Sequence, residues 1–260
     1  NIDSQSKITV LDLLGNGTSC IVWSSALPGD REAPLRYIDV TKGIKPHVMT
    51  EYRNNMGKEV RVTYKSSTFY FLKDKKEGKA WVSKLPFPVQ CVDQVITKDK
   101  VSQLRFTNQY FYHHGYYDGV EREFRGFAMV EQIDTEEFEH YKTETTNAGA
   151  LNVIREDLYQ PAVITKSWFH TGYYHCRNKY IHQLQEEYYP NRLEGVDDNS
   201  LKYILPDYQI PEEITAYELS ECFRALKGLP LRQEVYSDEG EESVKSHPYT
   251  IAQFNYNIQR

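Results

Sequence analysis

The sequence predicts a mainly β protein with a few short helices, built from half-exposed sheets. Its aromatic residues are dominated by 21 tyrosines among 260 residues, and tyrosine favours strands whose faces are partly wet. Several runs alternate apolar and polar residues, which is the period of a strand. The hydrophobic share is only 40%, which is low for a compact globule and predicts a thin core.

The charge balance and the apolar pattern exclude several classes of protein. The net charge of -6 argues against a nucleic-acid binder, which needs a basic surface. We find no run of about 18 apolar residues that would span a membrane, and no signal-peptide pattern. Because the first residue is Asn1 rather than Met, we expect the chain to be a piece of a longer polypeptide.

The four cysteines are far apart in the sequence: Cys20, Cys91, Cys176 and Cys222. A structural zinc site needs closely spaced ligand pairs, and no CxxC pair is present. We therefore expect free buried thiols.

Residues 1–27 are predicted to form a strand, a loop and a second strand. The loop that begins at Asp12 resembles the calcium-binding blade loop of the FG-GAP kind. Leu14 and Cys20 occupy two ligand positions, which leaves Asp12 and Asn16 as side-chain ligands. Two oxygens are too few for a cation that takes six to eight, so we predict no metal site.

Between residues 28 and 100, the alternation predicts short strands over 35–40, 60–64 and 69–72. The charged run 73–78 would close the third strand as a solvated hairpin tip. A short helix over 48–54 is a further possibility.

Residues 101–135 carry the clearest structural signal, a long hairpin. Alternating apolar residues predict strands over 101–112 and 120–132. Asp118-Gly119 between them is a typical hairpin turn, since glycine accepts a positive φ.

The last third of the sequence predicts three strands and two helices. The strands cover 162–169, 231–236 and 249–258. The first helix covers 176–189 and is ended by a proline. The second covers 212–227, begins near a Thr215/Glu218 capping box and ends at Gly228.

Both ends of the chain suggest that it is incomplete. Only one blade-like loop is present, and the last strand has no visible partner. A single blade cannot bury its apolar face alone, and an unpaired apolar edge invites aggregation. We expect a fragment of a larger β architecture.

The run from Tyr112 to Phe127 (YHHGYYDGVEREFRGF) resembles the hairpin of the TcB-type component of bacterial Tc insecticidal toxin complexes. Trp81 with residues 85–89, and residues 168–172, are similar to neighbouring parts of the same family. So are 224–228 and 231–236, while 12–23 resembles the last blade of the family's β-propeller. The resemblance covers nearly the whole chain.

The resemblance implies a fold and a division of the chain. Residues 1–34 would be the last blade segment of a β-propeller. Residues 35–150 would be an Rhs/YD-type hairpin region of a hollow shell, and residues 151–260 would continue that shell with two short helices.

The resemblance also implies a role in delivery rather than catalysis. Together with a TcC-type Rhs toxin subunit, the shell would encapsulate a toxic polypeptide, and the propeller would dock onto a TcA-type pore-forming subunit. The autoproteolytic site and the toxic enzyme belong to the TcC partner. We therefore expect no catalytic, cofactor-binding or metal-binding residues here, no direct membrane insertion, and a secreted assembly that forms in the bacterial cytoplasm and is then released.

Three groups of residues invite a chemical reading. His113-His114 suggests a metal site or a base, but neighbouring residues of a strand point to opposite faces, so the pair is not expected to chelate one ion. His170 and His175 near Ser167 and Cys176 suggest a nucleophile with a base, but no orienting acid stands at an interpretable spacing.

The third group is acidic and lies at the hairpin tip. Asp118, Glu121 and Glu123 suggest a glycan hydrolase, which needs two carboxylates at a set separation. Arg122 and Arg125 are close in sequence, and charge pairing across strands explains the acids without catalysis.

These readings leave one main hypothesis and two alternatives. The main hypothesis is a non-enzymatic piece of a TcB shell. The alternatives are a surface carbohydrate- or receptor-binding β-module, suggested by the tyrosines and tryptophans, and a glycan hydrolase that uses Glu121 or Glu123.

Overall fold

The computed structural model describes residues 5–102, 104–136, 161–175, 177–189, 208–211, 213–238 and 246–259. Strands dominate these residues, which confirms a mainly β fold with few helices. Among them, no helix has both the length and the apolar character needed to cross a membrane.

Thirteen strands and three helices make up the described part of the chain. The strands are β1 Lys7–Leu11, β2 Cys20–Ser24, β3 Leu35–Asp39, β4 Glu51–Arg53, β5 Lys58–Ser66, β6 Gln90–Asp99, β7 Leu104–Asp118, β8 Glu123–Glu136, β9 Ala162–Phe169, β10 Tyr208–Gln209, β11 Pro230–Asp238, β12 Thr250–Gln253 and β13 Tyr256–Asn257. The helices are α1 Ser67–Lys76, α2 Arg177–Glu187 and α3 Ala216–Leu226, and a 3-10 turn covers Pro28–Asp30.

Eight strands form one antiparallel sheet in the order β12-β11-β9-β8-β7-β6-β5-β4. Strands that are adjacent in this sheet follow one another along the chain, and helices lie between some of them in sequence. Strands β1, β2 and β3 form a separate antiparallel sheet, and β10 pairs with β13 in parallel. Within the described ranges, β4 and β12 are the outer strands of the large sheet.

The C-terminal predictions are confirmed in most respects. Strand β9 has the predicted bounds, and β11 contains the predicted strand. The capping box at the start of α3 is present, because Thr215 Oγ1 accepts from the Glu218 N–H and the Glu218 carboxylate accepts from the Thr215 N–H at 2.8 Å. The last predicted strand, 249–258, is broken into β12 and β13.

The predictions for residues 48–54 and 69–78 were wrong. The first segment contains strand β4 rather than a helix. The second is helix α1, whose buried residues Ser67, Tyr70 and Asp74 follow a helical spacing. Three lysines in its last turn also suit the negative end of the helix dipole. The charged run is thus the end of a helix rather than a hairpin tip.

The predicted hairpin is present, but its turn covers residues 119–122 rather than Asp118-Gly119. Strand β7 continues to Asp118, and β8 begins at Glu123. The Asp118 carboxylate accepts from the backbone N–H groups of Val120 and Glu121 at 2.9 and 3.1 Å. The residue with a positive φ in this turn is Arg122, at 55°, rather than Gly119.

Two aromatic clusters pack helices α1 and α2 against the large sheet. Tyr180 and Leu184 of α2, with Tyr188 just after the helix, pack against Trp168 of β9 and Met129 of β8. The second cluster forms around α1 and contains Tyr70, Trp81 and Cys91, with partly buried aromatic rings around them.

The sheet divides where β6 leaves β7. Their pairing runs from Asp99–Leu104 to Gln94–Gln109. Beyond it, the rest of β6 pairs with β5 alone and the rest of β7 pairs with β8 alone. Tyr70 of α1 lies in this division. Its hydroxyl donates to the Asp93 carboxylate of β6 at 3.0 Å and lies 3.3 Å from the Tyr110 carbonyl of β7. One tyrosine therefore connects the two separating strands.

The expected division of the chain at residues 34/35 and 150/151 stays a prediction. The small sheet includes β3 and so extends to Asp39. The second boundary falls outside the described residues.

Candidate functional site

A cleft of about 890 Å³ lies between the loop after α1 and helix α2. Strands β7, β8 and β9 form its floor. It brings together more ionisable groups than the cleft lined by Glu121, Glu123 and Lys227.

Asp74 holds the α1 side of the cleft. It lies on the buried face of α1, and its Oδ2 accepts from Trp81 Nε1 at 2.6 Å and is 2.7 Å from His113 Nδ1. Burial raises the pKa of Asp74, but the hydrogen bond and charge of His113, with the indole N–H, outweigh burial and hold the pKa below its ordinary value. The carboxylate is therefore charged, and its Oδ2 has two partners.

Glu187 holds the α2 side in the same way. It is the last residue of α2, and its Oε1 is 2.7 Å from His114 Nε2. Its Oε2 accepts from Trp168 Nε1 at 3.2 Å. Each carboxylate thus binds one indole and one imidazole, and the two imidazoles belong to neighbouring residues.

The expectation that His113 and His114 point to opposite faces was wrong for this strand. His114 has a φ of 57°, and the β7–β8 register shifts between Gly115 and Tyr117. This irregularity interrupts the alternation of side chains, so both rings line the cleft, with their centroids 6.4 Å apart.

Gly115 allows this geometry. A Cβ at this position would lie 2.9 Å from the Trp81 ring and 3.0 Å from the Phe127 ring. The backbone therefore approaches the aromatic cluster more closely than any other residue type allows.

The carboxylates Asp74 and Glu187 are both bound to indole and imidazole groups in this cleft. Its described lining contains no serine, threonine or cysteine that would act as a nucleophile. Within the described ranges, no group of three or more histidine, cysteine or acidic residues is arranged to hold a metal ion. The sequence pattern indicated the two histidines but not Asp74 or Glu187, because Asp74 stands in the charged run 73–78 and Glu187 adjoins a second acid, Glu186, as on a solvated surface.

The acidic group at the hairpin tip forms ion pairs. Asp118 and Arg125 are both buried, with Arg125 Nη2 2.9 Å from Asp118 Oδ2. Arg125 Nη1 also donates to the Gly172 carbonyl at 3.2 Å. A buried arginine therefore connects the hairpin to the segment after β9.

Glu123 does not fit the general acid of a glycan hydrolase. Glu121, Glu123 and Lys227 line a cleft of about 510 Å³. Glu123 binds Lys227 and lies 3.6 Å from Arg125, and the Lys227 hydrogen bond lowers the pKa of Glu123. A general acid needs a raised pKa. Glu121 lies in the turn rather than on the strand.

Two of the residues proposed as a nucleophile and base, Ser167 and His170, contact other groups. His170 is buried and packs against the rings of Tyr208 and Tyr256, at 5.6 and 6.2 Å. Ser167 Oγ accepts a hydrogen bond from a glutamine of β11 at 3.3 Å. Cys176 lies outside the described residues.

The oxygens of the N-terminal loop are used within the loop. The Asp12 carboxylate accepts from the backbone N–H groups of Asn16 and Gly17 at 3.1 and 2.8 Å. Asn16 Oδ1 accepts from the Thr18 N–H at 2.9 Å. The loop also contacts the large sheet, because Gln90 Nε2 donates to the Asn16 carbonyl at 2.5 Å.

The chain also matches a family of known proteins. Residues 2–172 match the model of a family described as the insecticide toxin TcdB middle/N-terminal region. No curated protein matches the chain significantly.

Solved structures match nearly the whole chain. The crystal structure of TcdB2-TccC3 without its hypervariable C-terminal region is 26% identical, with a TM-score of 0.73, over 98% of this chain and 11% of that one. A Photorhabdus luminescens Tc holotoxin pore structure is 27% identical, with a TM-score of 0.71, over 98% and 11%. The crystal structure of TcdB2-TccC3-Cdc42 is 25% identical, with a TM-score of 0.73, over 100% and 12%. The chain thus spans only 11–12% of the length of these solved chains.

Proposed function

Because the chain belongs to the family of the insecticide toxin TcdB middle/N-terminal region, we propose that it is a wall segment of a TcB-type toxin component. In this proposal the wall encloses a toxic polypeptide and helps to deliver it, and the segment itself catalyses no reaction. The observation that carries the proposal is the match of the whole described fold to TcdB2-TccC3 structures at a TM-score of 0.73.

The two faces of the large sheet support a role as a wall. One face carries α2 on Trp168 and Met129. On the opposite face the strand register places Asn108 opposite Asp134, and the Asn108 side chain donates to the Asp134 carboxylate. Gln132, two residues along on that face, donates to the same carboxylate at 2.8 Å. A polar network on the face opposite α2 suits a sheet with solvent or cargo beside it.

The small sheet supports the proposal that residues 1–34 end a β-propeller. Val10, Ile21 and Ile38 are paired across β1, β2 and β3, so their side chains share one face. They are 68%, 40% and 66% exposed. Such an aliphatic face needs a second sheet, and the neighbouring blade of a propeller would supply it. Residues 35–150 and 151–260 would then form the Rhs/YD-type shell.

The partners follow from the same comparison. The similar structures contain TccC3, and one is described as a holotoxin pore. We therefore assign a TcC-type subunit as the partner that completes the shell and a TcA-type subunit as the pore on which it docks. The assembly would act after release from the bacterium, with no membrane insertion of this segment.

Electron cryo-microscopy of the full-length parent polypeptide with its TcC-type partner tests the proposal. We expect a closed hollow particle in whose wall the eight-stranded sheet is found, and a cargo segment that resists added protease. An open particle, or a map in which this sheet lies outside the wall, would contradict the proposal.

A matched pair of variants tests whether this segment keeps the wall closed. Trp168→Ala removes a fully buried ring between α2 and the sheet, which costs about 3–5 kcal/mol, and should expose the cargo to protease. Tyr217→Ala changes a residue that is 74% exposed and should leave the cargo protected. Equal protection in both variants would show that closure does not depend on this segment.

A further inference from the structure

We propose that His113-His114 is a shared latch that makes the docking of α1 and of α2 interdependent and so controls the opening of the cleft between them. The proposal concerns a conformational device and does not depend on the proposed function.

Each histidine holds a different helix. His113 contacts Asp74 of α1, which is 1% exposed, at 2.7 Å. His114, itself 3% exposed, contacts Glu187 of α2 at 2.7 Å. Hydrogen bonds to charged partners are stronger than neutral ones, so these two contacts are the main polar attachments of the helices to β7.

The backbone of His114 provides the coupling. Its φ of 57° is a left-handed conformation that a non-glycine residue keeps only while its surroundings hold it there. If Glu187 released the His114 ring, the backbone would relax toward ordinary strand geometry. The preceding peptide belongs to His113, so its ring would turn away from Asp74.

Two contacts across the cleft reinforce this coupling. Gln183 of α2 donates to the Ala80 carbonyl of the loop after α1 at 2.9 Å. The ring of Trp81, which donates to Asp74, lies 6.4 Å from the His114 ring. The α2 side of the cleft therefore contacts the loop after α1, and that loop contacts the histidine that binds α2.

Hydrogen exchange in the full-length parent tests the latch. The near-isosteric Glu187→Gln cannot accept from the imidazole as a charged group. We expect faster exchange in α2 and also at least about 5-fold faster exchange in α1, which corresponds to one hydrogen bond of about 1 kcal/mol. Asp74→Asn should have the reciprocal effect on α2.

Glu186→Gln is the matched control. Glu186 precedes Glu187 and lines the same cleft, but it pairs with the exposed His182 at 3.3 Å. Its substitution should leave exchange in α1 unchanged. The latch is refuted if Glu187→Gln affects α2 alone and Asp74→Asn affects α1 alone.

His114→Asn separates the backbone route from other routes and serves as a milder variant. Asparagine tolerates the left-handed conformation but lacks the imidazole, so α2 should loosen while α1 keeps its protection. If α1 loosened as much as in Glu187→Gln, transmission through the His114 backbone would be wrong.

Discussion

Replacing Gly172 by alanine should weaken the contacts of the segment after β9 with the long hairpin and with α3. Gly172 has a φ of 73°, and a Cβ would lie 2.7 Å from Arg125 Nη1 and 2.8 Å from the Phe223 carbonyl oxygen. The left-handed conformation costs alanine about 1 kcal/mol. Displacement of the guanidinium from the Gly172 carbonyl removes a hydrogen bond from a charged donor, worth about 2 kcal/mol. We therefore expect a loss of about 3 kcal/mol.

Hydrogen exchange of the full-length parent is the assay. A loss of about 3 kcal/mol corresponds to exchange about 150-fold faster in the hairpin tip and in α3. The matched control is Gly228→Ala, in the same region. Gly228 has a φ of 79° but has no atom within 4 Å of its Cβ position, so it reports backbone strain alone, about 5-fold.

Comparing the two variants separates backbone strain from the close approach of Arg125 and Phe223. If Gly172→Ala accelerated exchange no more than Gly228→Ala, the close approach of Arg125 and Phe223 would contribute nothing. The buried arginine would then tolerate displacement, and its assigned role in connecting the hairpin to the segment after β9 would be wrong.

Three further predictions concern buried ionisable and hydroxyl groups. Tyr70→Phe should cost about 1 kcal/mol by removing the hydroxyl from Asp93, seen as faster exchange in β6 and β7; exchange unchanged there would show that the ring alone holds the strands. The pKa of Asp74 is lowered from 3.8, so the stability that its charged carboxylate gives the fold is complete above that pH and is lost as the pH falls through the lower folded pKa. Tryptophan fluorescence should therefore show an acid transition that Asp74→Asn abolishes. A transition that persists in this variant would belong to another group. Burial raises the pKa of Tyr112 and of Tyr116 from 10.0 to about 12, so the stability that these neutral phenols give the fold is complete below pH 10 and is lost as the pH rises through 12. Phenolate absorbance should show one late-titrating tyrosine fewer in Tyr112→Phe than in the wild type. An equal late phase in both proteins would contradict the assignment to Tyr112.

The sequence predicted strands well wherever one face is apolar and the other is polar, as in β9 and β11. Helix α3 was predicted because its capping box and its apolar stripe point to the same helix. Helix α1 was missed because two of its three buried residues are polar, Ser67 and Asp74. Hydrophobic periodicity does not reveal a buried stripe of that kind, and Phe69–Leu72 favour strands by intrinsic propensity.

The candidate site was predicted only in part. The adjacent histidines were conspicuous, but their orientation was derived from a strict period of two. His114 breaks that period with a left-handed backbone, and no local signal marks it, since glycine is the residue that normally indicates such a position. The partner carboxylates are 39 and 73 residues away in sequence, so tertiary packing alone brings them to the histidines.

The division between β6 and β7 affects the curvature of any container built from this sheet. Two strands that separate from a common pairing diverge by an angle that depends on what fills the gap, and here the filler is the ring of Tyr70. A bulkier or smaller side chain at that position would change the angle without altering a single strand register. The internal volume of a vessel assembled from such sheets would then depend on a few interior rings at its forks, and a single substitution at one of them would change how much it holds.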